Sequence, residues 1–247
     1  MSSLARTVAQ DVEAKLLDDI LRGQYRPGER LPSERDLAAR FDASRGVVRE
    51  ALKKLEQLGL ADIRPGGVRV VPIEEATLEV LGHLLIRGDT PDPRLVSEVL
   101  DVYGALMSMS ARTAIQQADD SQIEHMREIV RNLLDHPDGP QHDWRTLGVY
   151  FTKVNQNLVL RLVSNGLKTQ FLAHLEALGP SLRPDPARAT EAARGQLETL
   201  DMAIAARDAA ATAHCITEHF AFIESALLKA LATRTPTQAQ VRREVSS

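Results

Sequence analysis

The stretch from residue 31 to residue 71 constrains the fold more than any other part of the chain. Its sequence, LPSERDLAARFDASRGVVREALKKLEQLGLADIRPGGVRVV, predicts two short helices followed by two strands. Ser33 and Ser44 each precede a helical pattern, so their hydroxyls can accept hydrogen bonds from first-turn amides. Asp36, three residues after Ser33, is expected to reach back to the Ser33 amide as in a capping box.

The second helix, predicted from Arg45 to Leu58, has one apolar face and one basic face. Val48, Leu52, Leu55 and Leu58 recur at helical spacing. Gly59 suits the left-handed conformation that ends many helices. Arg45 and Arg49 are four residues apart and project from one side of the first turns. A helix N-terminus with two arginines and a hydroxyl is suited to bind phosphates and guanine edges.

Two strand-like runs follow, at residues 60–63 and 68–71, on either side of Pro65-Gly66-Gly67. They are predicted to pair as a hairpin, with Arg64 and Arg69 beside the turn. Two helices followed by such a hairpin are typical of a winged helix-turn-helix, in which the hairpin is the wing. An ordinary helical hairpin with solvated charges is the alternative interpretation of the arginine pair alone.

The same stretch resembles the signature of GntR-type transcriptional regulators over roughly residues 8 to 72. The matching segments are residues 20–23, 27–38, 44–45, 48–52, 55–56 and 59–60. Family members often carry hydroxylated residues where this chain has Gly46 and Val47. The resemblance implies that the residues contacting DNA are Arg35, Ser44, Arg45, Gly46, Val47, Arg49, Pro65 and Gly66.

Composition and charge limit what the whole chain can be. Its 247 residues suffice for two domains, and 43% hydrophobic with 26% charged residues is ordinary for a globular protein. Only 4% of residues are aromatic, whereas alanine and leucine are abundant, which favours helices packed on helices. The net charge is +2 in residues 1–72 and −6 in the remainder, so only the first part is expected to contact DNA.

The chain is expected to be cytoplasmic and to have no membrane partner. No apolar run approaches the ~18 residues that span a bilayer, and the N-terminus lacks the apolar core of a signal peptide. The single cysteine, Cys215, cannot form an internal disulfide and is expected to be a small core residue.

The sequence predicts a mainly α fold with a winged helix-turn-helix domain at residues 1–72. A further helix at residues 7–22 is expected to pack beneath the DNA-contacting elements. Residues 73–77 are the predicted linker, 78–232 an antiparallel bundle of six or seven helices, and 233–247 a disordered tail. The helices after the wing are expected at about residues 74–88, 94–118, 120–135, 142–156, 158–178, 186–207 and 209–232.

A winged helix joined to a helical bundle resembles the FadR subdivision of GntR regulators, whose bundle binds a ligand and dimerises. Many members bind a divalent metal through an Asp-x-x-x-His pair and two later histidines. The pair's positions hold Trp144 and Gly148 here, and the first later histidine position holds Leu197. Because His219 alone matches, no metal and no other cofactor is expected.

The resemblance implies a homodimer that binds an inverted-repeat operator and a small-molecule effector. Repression relieved by a metabolite, a fatty acyl or other organic acid compound, is the predicted mode of action. The apolar residues of the bundle either line a cavity or form core. The candidate ligand contacts are Arg112, Asn157, His219 and Phe222.

Two other functions are weighed against this one. His142-Asp143 is an HD dipeptide that, with His125 and Asp201, would suit a helical metal-dependent phosphohydrolase. Such dipeptides are common by chance, and Asp143 is also well placed to cap a helix, so no enzymatic activity is expected. The third possibility is an architectural DNA-binding protein without a sensor.

Overall fold

The computed structural model describes residues 8–85, 91–135, 144–172 and 186–234. The chain divides into two compact units, Met1–Leu84 and Leu85–Ser247. None of the described helices is long and apolar enough to cross a membrane.

The first unit consists of helices around one core and a hairpin. Its elements are α1 (Val8–Leu21), α2 (Glu34–Phe41), α3 (Arg45–Gln57), β1 (Ala61–Arg64), β2 (Gly67–Val70) and α4 (Val80–Leu85). The antiparallel strands pair Ala61 with Val70 and Arg64 with Gly67, which leaves Pro65 and Gly66 as the turn. The predicted helix-turn-helix and wing are therefore present.

Buried aliphatic side chains hold the first unit together. Leu16 of α1, Leu37 of α2, and Leu52 and Leu55 of α3 are at most 1% exposed. Burying a leucine of this kind stabilises the fold by about 1.5–3 kcal/mol. Gly59, at φ +74°, ends α3 in the predicted left-handed conformation. This packing fixes the orientation of α2 and α3 relative to each other.

The capping of α2 differs in detail from the prediction. The Ser33 hydroxyl accepts from the Asp36 amide at 3.3 Å, as expected. The Asp36 carboxylate, however, accepts from the Ser33 hydroxyl at 2.6 Å rather than from the Ser33 amide. This hydrogen bond lowers the pKa of Asp36. The shorter aspartate side chain reaches the hydroxyl where the glutamate of a full capping box would reach the backbone.

The segment after the wing is not the single helix predicted at residues 74–88. Residues Ile73–Glu75 form one 3₁₀ turn, the backbone is extended at Ala76, and α4 begins only at Val80. The Thr77 amide donates to the Leu58 carbonyl at 2.9 Å, which interrupts helical hydrogen bonding. Val80 is buried in the first unit's core. The first unit thus includes the residues assigned to the linker from sequence.

The second unit is an all-helical bundle of six described helices. They are α5 (Pro93–Gln117), α6 (Asp120–Asp135), α7 (Trp144–Val154), α8 (Leu158–Leu167), α9 (Pro186–Ala205) and α10 (Ala209–Arg234). Ser97 hydrogen-bonds to Glu224 and Ser108 to the Ala213 carbonyl, so α5 and α10 run antiparallel. The predicted fold class is confirmed.

Two further corrections concern the bundle helices. The helix predicted at residues 158–178 is α-helical only as far as Leu167 and changes there to a π-helical turn, Lys168–Leu172, whereas residues 173–178 lie outside the described residues. The helix predicted at residues 142–156 spans Trp144–Val154, and its first two positions lie outside the described residues. The last helix, α10, extends to Arg234 and so includes the first two residues of the tail predicted at 233–247. The rest of that tail lies outside the described residues.

Cys215 is buried in the core, which raises the pKa of its thiol.

Candidate nucleic-acid interface and bundle cavity

The amino ends of α2 and α3 carry the candidate DNA-contacting side chains. Ser44 caps α3, and its hydroxyl oxygen accepts from the Val47 amide at 3.3 Å while its hydrogen remains able to donate. Arg45 is exposed in the first turn of α3, and that turn contains no acidic residue. The free amides, the helix dipole and the arginine together favour binding of a phosphate.

Arg49 is held by a carboxylate from the neighbouring helix. Its Nε and Nη2 atoms lie 2.9 and 2.8 Å from the two carboxylate oxygens of Glu34. This bidentate hydrogen bond lowers the pKa of Glu34 and orients the guanidinium at the edge of the exposed surface. Sequence reasoning missed the pair, because its members are fifteen residues apart on different helices.

Glu34→Gln is expected to lower the melting temperature at neutral pH by roughly 1–3 °C. Because the folded-state pKa of Glu34 lies below its usual 4.5, its stabilisation is fully present above pH 4.5 and disappears as the pH falls through the folded value. The difference between wild-type and variant melting temperatures should therefore shrink below about pH 4.5. Calorimetry across pH 3 to 7 measures this difference in melting temperature.

Glu50→Gln is the matched control for this experiment. It removes an α3 carboxylate that pairs with Lys53 and leaves the hydrogen bonds to Arg49 intact. A Glu34→Gln deficit that stays constant down to pH 3 would contradict the role assigned to the ion pair.

The remaining predicted DNA contacts lie on the same unit. Arg35 is exposed in the first turn of α2, with its Nε 3.7 Å from Asp36. Gly46 is exposed, whereas Val47 is half-buried against the core. Pro65 and Gly66 are exposed at the wing tip, where Gly66 has φ +106°. All eight predicted contacts thus retain at least part of their surface.

A cavity of about 280 Å³ lies inside the second unit, between α5, α7, α8 and α10. Trp144 stacks on His219 with ring centroids 3.6 Å apart and forms one wall. Arg145 and Lys168 are among the lining residues, and none of the described lining residues is acidic. Ser164 is 4% exposed, and its hydroxyl has no hydrogen-bond partner within the described part of the chain. The cavity therefore combines apolar walls, positive charge and an unsatisfied hydroxyl.

Only one of the four predicted ligand contacts lines this cavity. His219 does so, on the α10 face that also carries Ile216, Phe220 and Ile223. Phe222 is half-buried and lies outside that face, because helical spacing of three and four residues excludes it.

Arg112 and Asn157 are also placed elsewhere. Arg112 lines a separate groove of about 450 Å³ between α5 and α10. The exposed Asn157 caps α8, where its side-chain oxygen accepts from the Leu160 amide at 3.0 Å. Sequence reasoning missed Lys168 and Ser164, because neither belongs to a recognisable motif. From sequence, Trp144 is notable only for occupying the position of a metal-binding aspartate, and its place in the cavity wall is not predicted.

The side chains around His219 do not fit a divalent metal. Trp144 and Gly148, at the positions of the family's Asp-x-x-x-His pair, line the cavity but offer no ligand atom. Leu197 is 1% exposed in the core. Among the described residues, no group of three His, Cys, Asp or Glu side chains is close enough to share an ion.

The residues of the phosphohydrolase alternative are engaged in other contacts where they are described. Arg127 donates to both carboxylate oxygens of Asp201, at 3.0 and 3.1 Å. His125 Nδ1 lies 3.3 Å from Glu128. His142 and Asp143 lie outside the described residues. The Asp201 carboxylate, which a phosphohydrolase would need as a metal ligand, is already paired with the Arg127 guanidinium.

Comparisons with known proteins identify relatives of this chain. The family model "Bacterial regulatory proteins, gntR family" matches residues 8–71. The HTH-type transcriptional regulator Mce2R of Mycobacterium tuberculosis is 32% identical over 177 residues, which cover 70% of this chain and 74% of Mce2R. The fatty acid metabolism regulator protein of Klebsiella pneumoniae is 27% identical over 168 residues, which cover 66% of this chain and 69% of that protein.

A solved structure shares the fold. Lar, which controls the expression of the Listeria monocytogenes agr system, superposes with a TM-score of 0.52 at 14% sequence identity. The superposition covers 91% of this chain and 98% of Lar.

Proposed function

The chain belongs to the GntR family of bacterial DNA-binding transcriptional regulators, and on that premise we propose that it is a homodimeric repressor released by a small organic acid. The observation that carries the proposal is the exposed set of arginines at the amino ends of α2 and α3, beside a wing. In a dimer, two such surfaces contact the half-sites of an inverted repeat. We assign no catalytic activity to the chain.

Selection from a pool of random DNA duplexes at moderate salt tests the DNA-binding part of this proposal. An inverted repeat with a short spacer should be enriched. Recovery of sequences without any common motif would contradict it. That result is expected of an architectural protein, which binds DNA without sequence preference.

The dimer interface is proposed to include the exposed apolar face of α8. Leu158, Val159, Leu162 and Val163 are 61, 70, 60 and 41% exposed, whereas the opposite side of the helix is buried against the bundle. Gly166 falls at the centre of this face by helical spacing. A face without charge is complementary to its own copy, as a two-fold dimer requires. A contiguous apolar face exposed to water is typical of a protein–protein interaction site.

The effector is proposed to bind the cavity beside Trp144 and His219. Lys168 would neutralise a carboxylate, while the aromatic and aliphatic walls would take up an apolar body. The name of the Klebsiella relative, a fatty acid metabolism regulator, agrees with this chemistry. Ligand that prefers the conformation unable to bind DNA lowers operator affinity by a coupling of about 1–3 kcal/mol.

A thermal-shift experiment with carboxylic acids and alcohols of matched length tests the cavity. An acid at about 100 times its dissociation constant should raise the melting temperature by roughly 5–10 °C, and the corresponding alcohol should not. Lys168→Gln should remove most of the shift. Lys153→Gln, which removes an exposed lysine of α7 outside the cavity lining, should leave it intact. Equal shifts with acids and alcohols would contradict the assigned ligand class.

A further inference from the structure

The segment before α2 lies alongside β2 and pairs with it through an isolated bridge. The Gly28 amide donates to the Val70 carbonyl at 2.8 Å, and the Val70 amide donates to the Glu29 carbonyl at 2.9 Å. The Leu31 amide donates to the Val68 carbonyl at 2.9 Å. Arg30 is consequently paired with Arg69. Directly paired residues project to the same face of a sheet, so both arginines lie on one side of the wing.

The guanidinium of Arg30 lies over the two glycines of the wing. A Cβ atom on Gly67 would be only 2.6 Å from Arg30 Nε, and one on Gly66 would be 3.1 Å from Arg30 Nη2. Both glycines have positive φ angles, +106° at Gly66 and +133° at Gly67. The glycine pair therefore serves two purposes: it forms the turn, and it leaves room for the guanidinium beside the tip.

The two arginines of the wing itself, Arg64 and Arg69, are engaged by neighbouring groups. Arg64 Nε lies 2.6 Å from an Asp62 carboxylate oxygen, and Arg69 Nη1 donates to the Gly28 carbonyl at 2.8 Å. Arg30 is exposed, and no other described residue gives its side chain an ion pair or a hydrogen bond. The positive charge of Arg30 therefore lies next to the glycine-lined wing tip without an ion pair or a hydrogen bond from the described residues.

We propose that Arg30 inserts its guanidinium into the DNA minor groove beside the wing tip and favours A·T base pairs there. This inference rests on the proposed function. A·T-rich segments have a narrow minor groove with enhanced negative potential, which attracts an arginine more than a strongly hydrated lysine. Arg30 thus determines specificity at base pairs flanking those that α3 contacts.

Fluorescence anisotropy with two duplexes tests the proposal. The first is the duplex most enriched by the wild-type chain in random selection, with A·T pairs flanking each half-site. The second has G·C pairs at those flanking positions. Arg30→Ala should bind the first duplex about tenfold more weakly than wild type and should no longer distinguish the two. Arg30→Lys should recover only part of the loss. Melting temperatures of both variants should match wild type, because the Arg30 side chain is exposed.

Arg22→Ala is the charge-matched control. It removes an exposed guanidinium that Asp18 holds at the end of α1, and it should bind both duplexes within about twofold of wild type. Unchanged binding by Arg30→Ala, or equal weakening on both duplexes with a salt slope reduced by about one, would overturn the minor-groove assignment. A wild-type chain that enriches no motif would overturn the proposed function and this inference together.

Discussion

Arg45→Ala is expected to lower affinity for the selected duplex by at least about 30-fold. Arg45 is exposed in the first turn of α3, and that turn itself contains no acidic residue. An arginine that donates two hydrogen bonds to a guanine contributes about 1–3 kcal/mol of discrimination, and each dimer loses two of them. Anisotropy titrations at several salt concentrations measure the affinity and separate base contacts from phosphate contacts.

Lys53→Ala provides the matched control on the same helix. It also removes one positive charge from α3, but Lys53 lies two turns further on and pairs with Glu50 at 3.0 Å. Its affinity should stay within about threefold of wild type. Similar losses in the two variants would show that net charge, and not the position at the helix N-terminus, controls binding.

Leu162→Asp is expected to convert the proposed dimer into a monomer at micromolar concentration. Leu162 lies in the middle of the exposed apolar face of α8 and is itself 60% exposed, so the monomer should keep its fold. A carboxylate buried against its own copy costs several kcal/mol, because two like charges lose their hydration together. Operator affinity should then fall by about 10²–10⁴-fold through loss of bivalent binding.

Sedimentation of the variant and of Met202→Asp tests this expectation. Met202 is 64% exposed on α9, so its replacement introduces the same charge at an equally exposed apolar position outside α8. Met202→Asp should remain dimeric and bind DNA as wild type does. A Leu162→Asp chain that sediments as a dimer would exclude the α8 face as the interface.

The helix-turn-helix and most bundle boundaries were predictable because their signals are local. Ser33, Ser44 and Gly59 cap helices through contacts within a few residues, and those caps are present as expected. The prediction for the segment after the wing failed because distant backbone intervenes. The Thr77 amide bonds to the Leu58 carbonyl and breaks the helix that apolar spacing alone predicts at residues 74–88.

The positions of the candidate ligand contacts in the bundle also depend on tertiary structure. His219 lines the cavity, but Arg112 and Asn157 do not, because which helix faces meet is settled by packing of the whole bundle. The unsatisfied hydroxyl of Ser164 is recognisable only after its burial is known. No spacing within the sequence distinguishes that serine from an ordinary surface serine.

Local signals in the amino-acid sequence suffice to predict the family, the winged helix-turn-helix and the residues exposed on the α3 surface. Those properties depend on periodicity, caps and turn residues, which act over one to two helical turns. Tertiary structure alone decided that Glu34 holds Arg49, that Arg30 lies over Gly66 and Gly67, and that Trp144 stacks on His219. These contacts join residues 15 or more positions apart, and only the packing of whole helices and strands brings them within bonding distance.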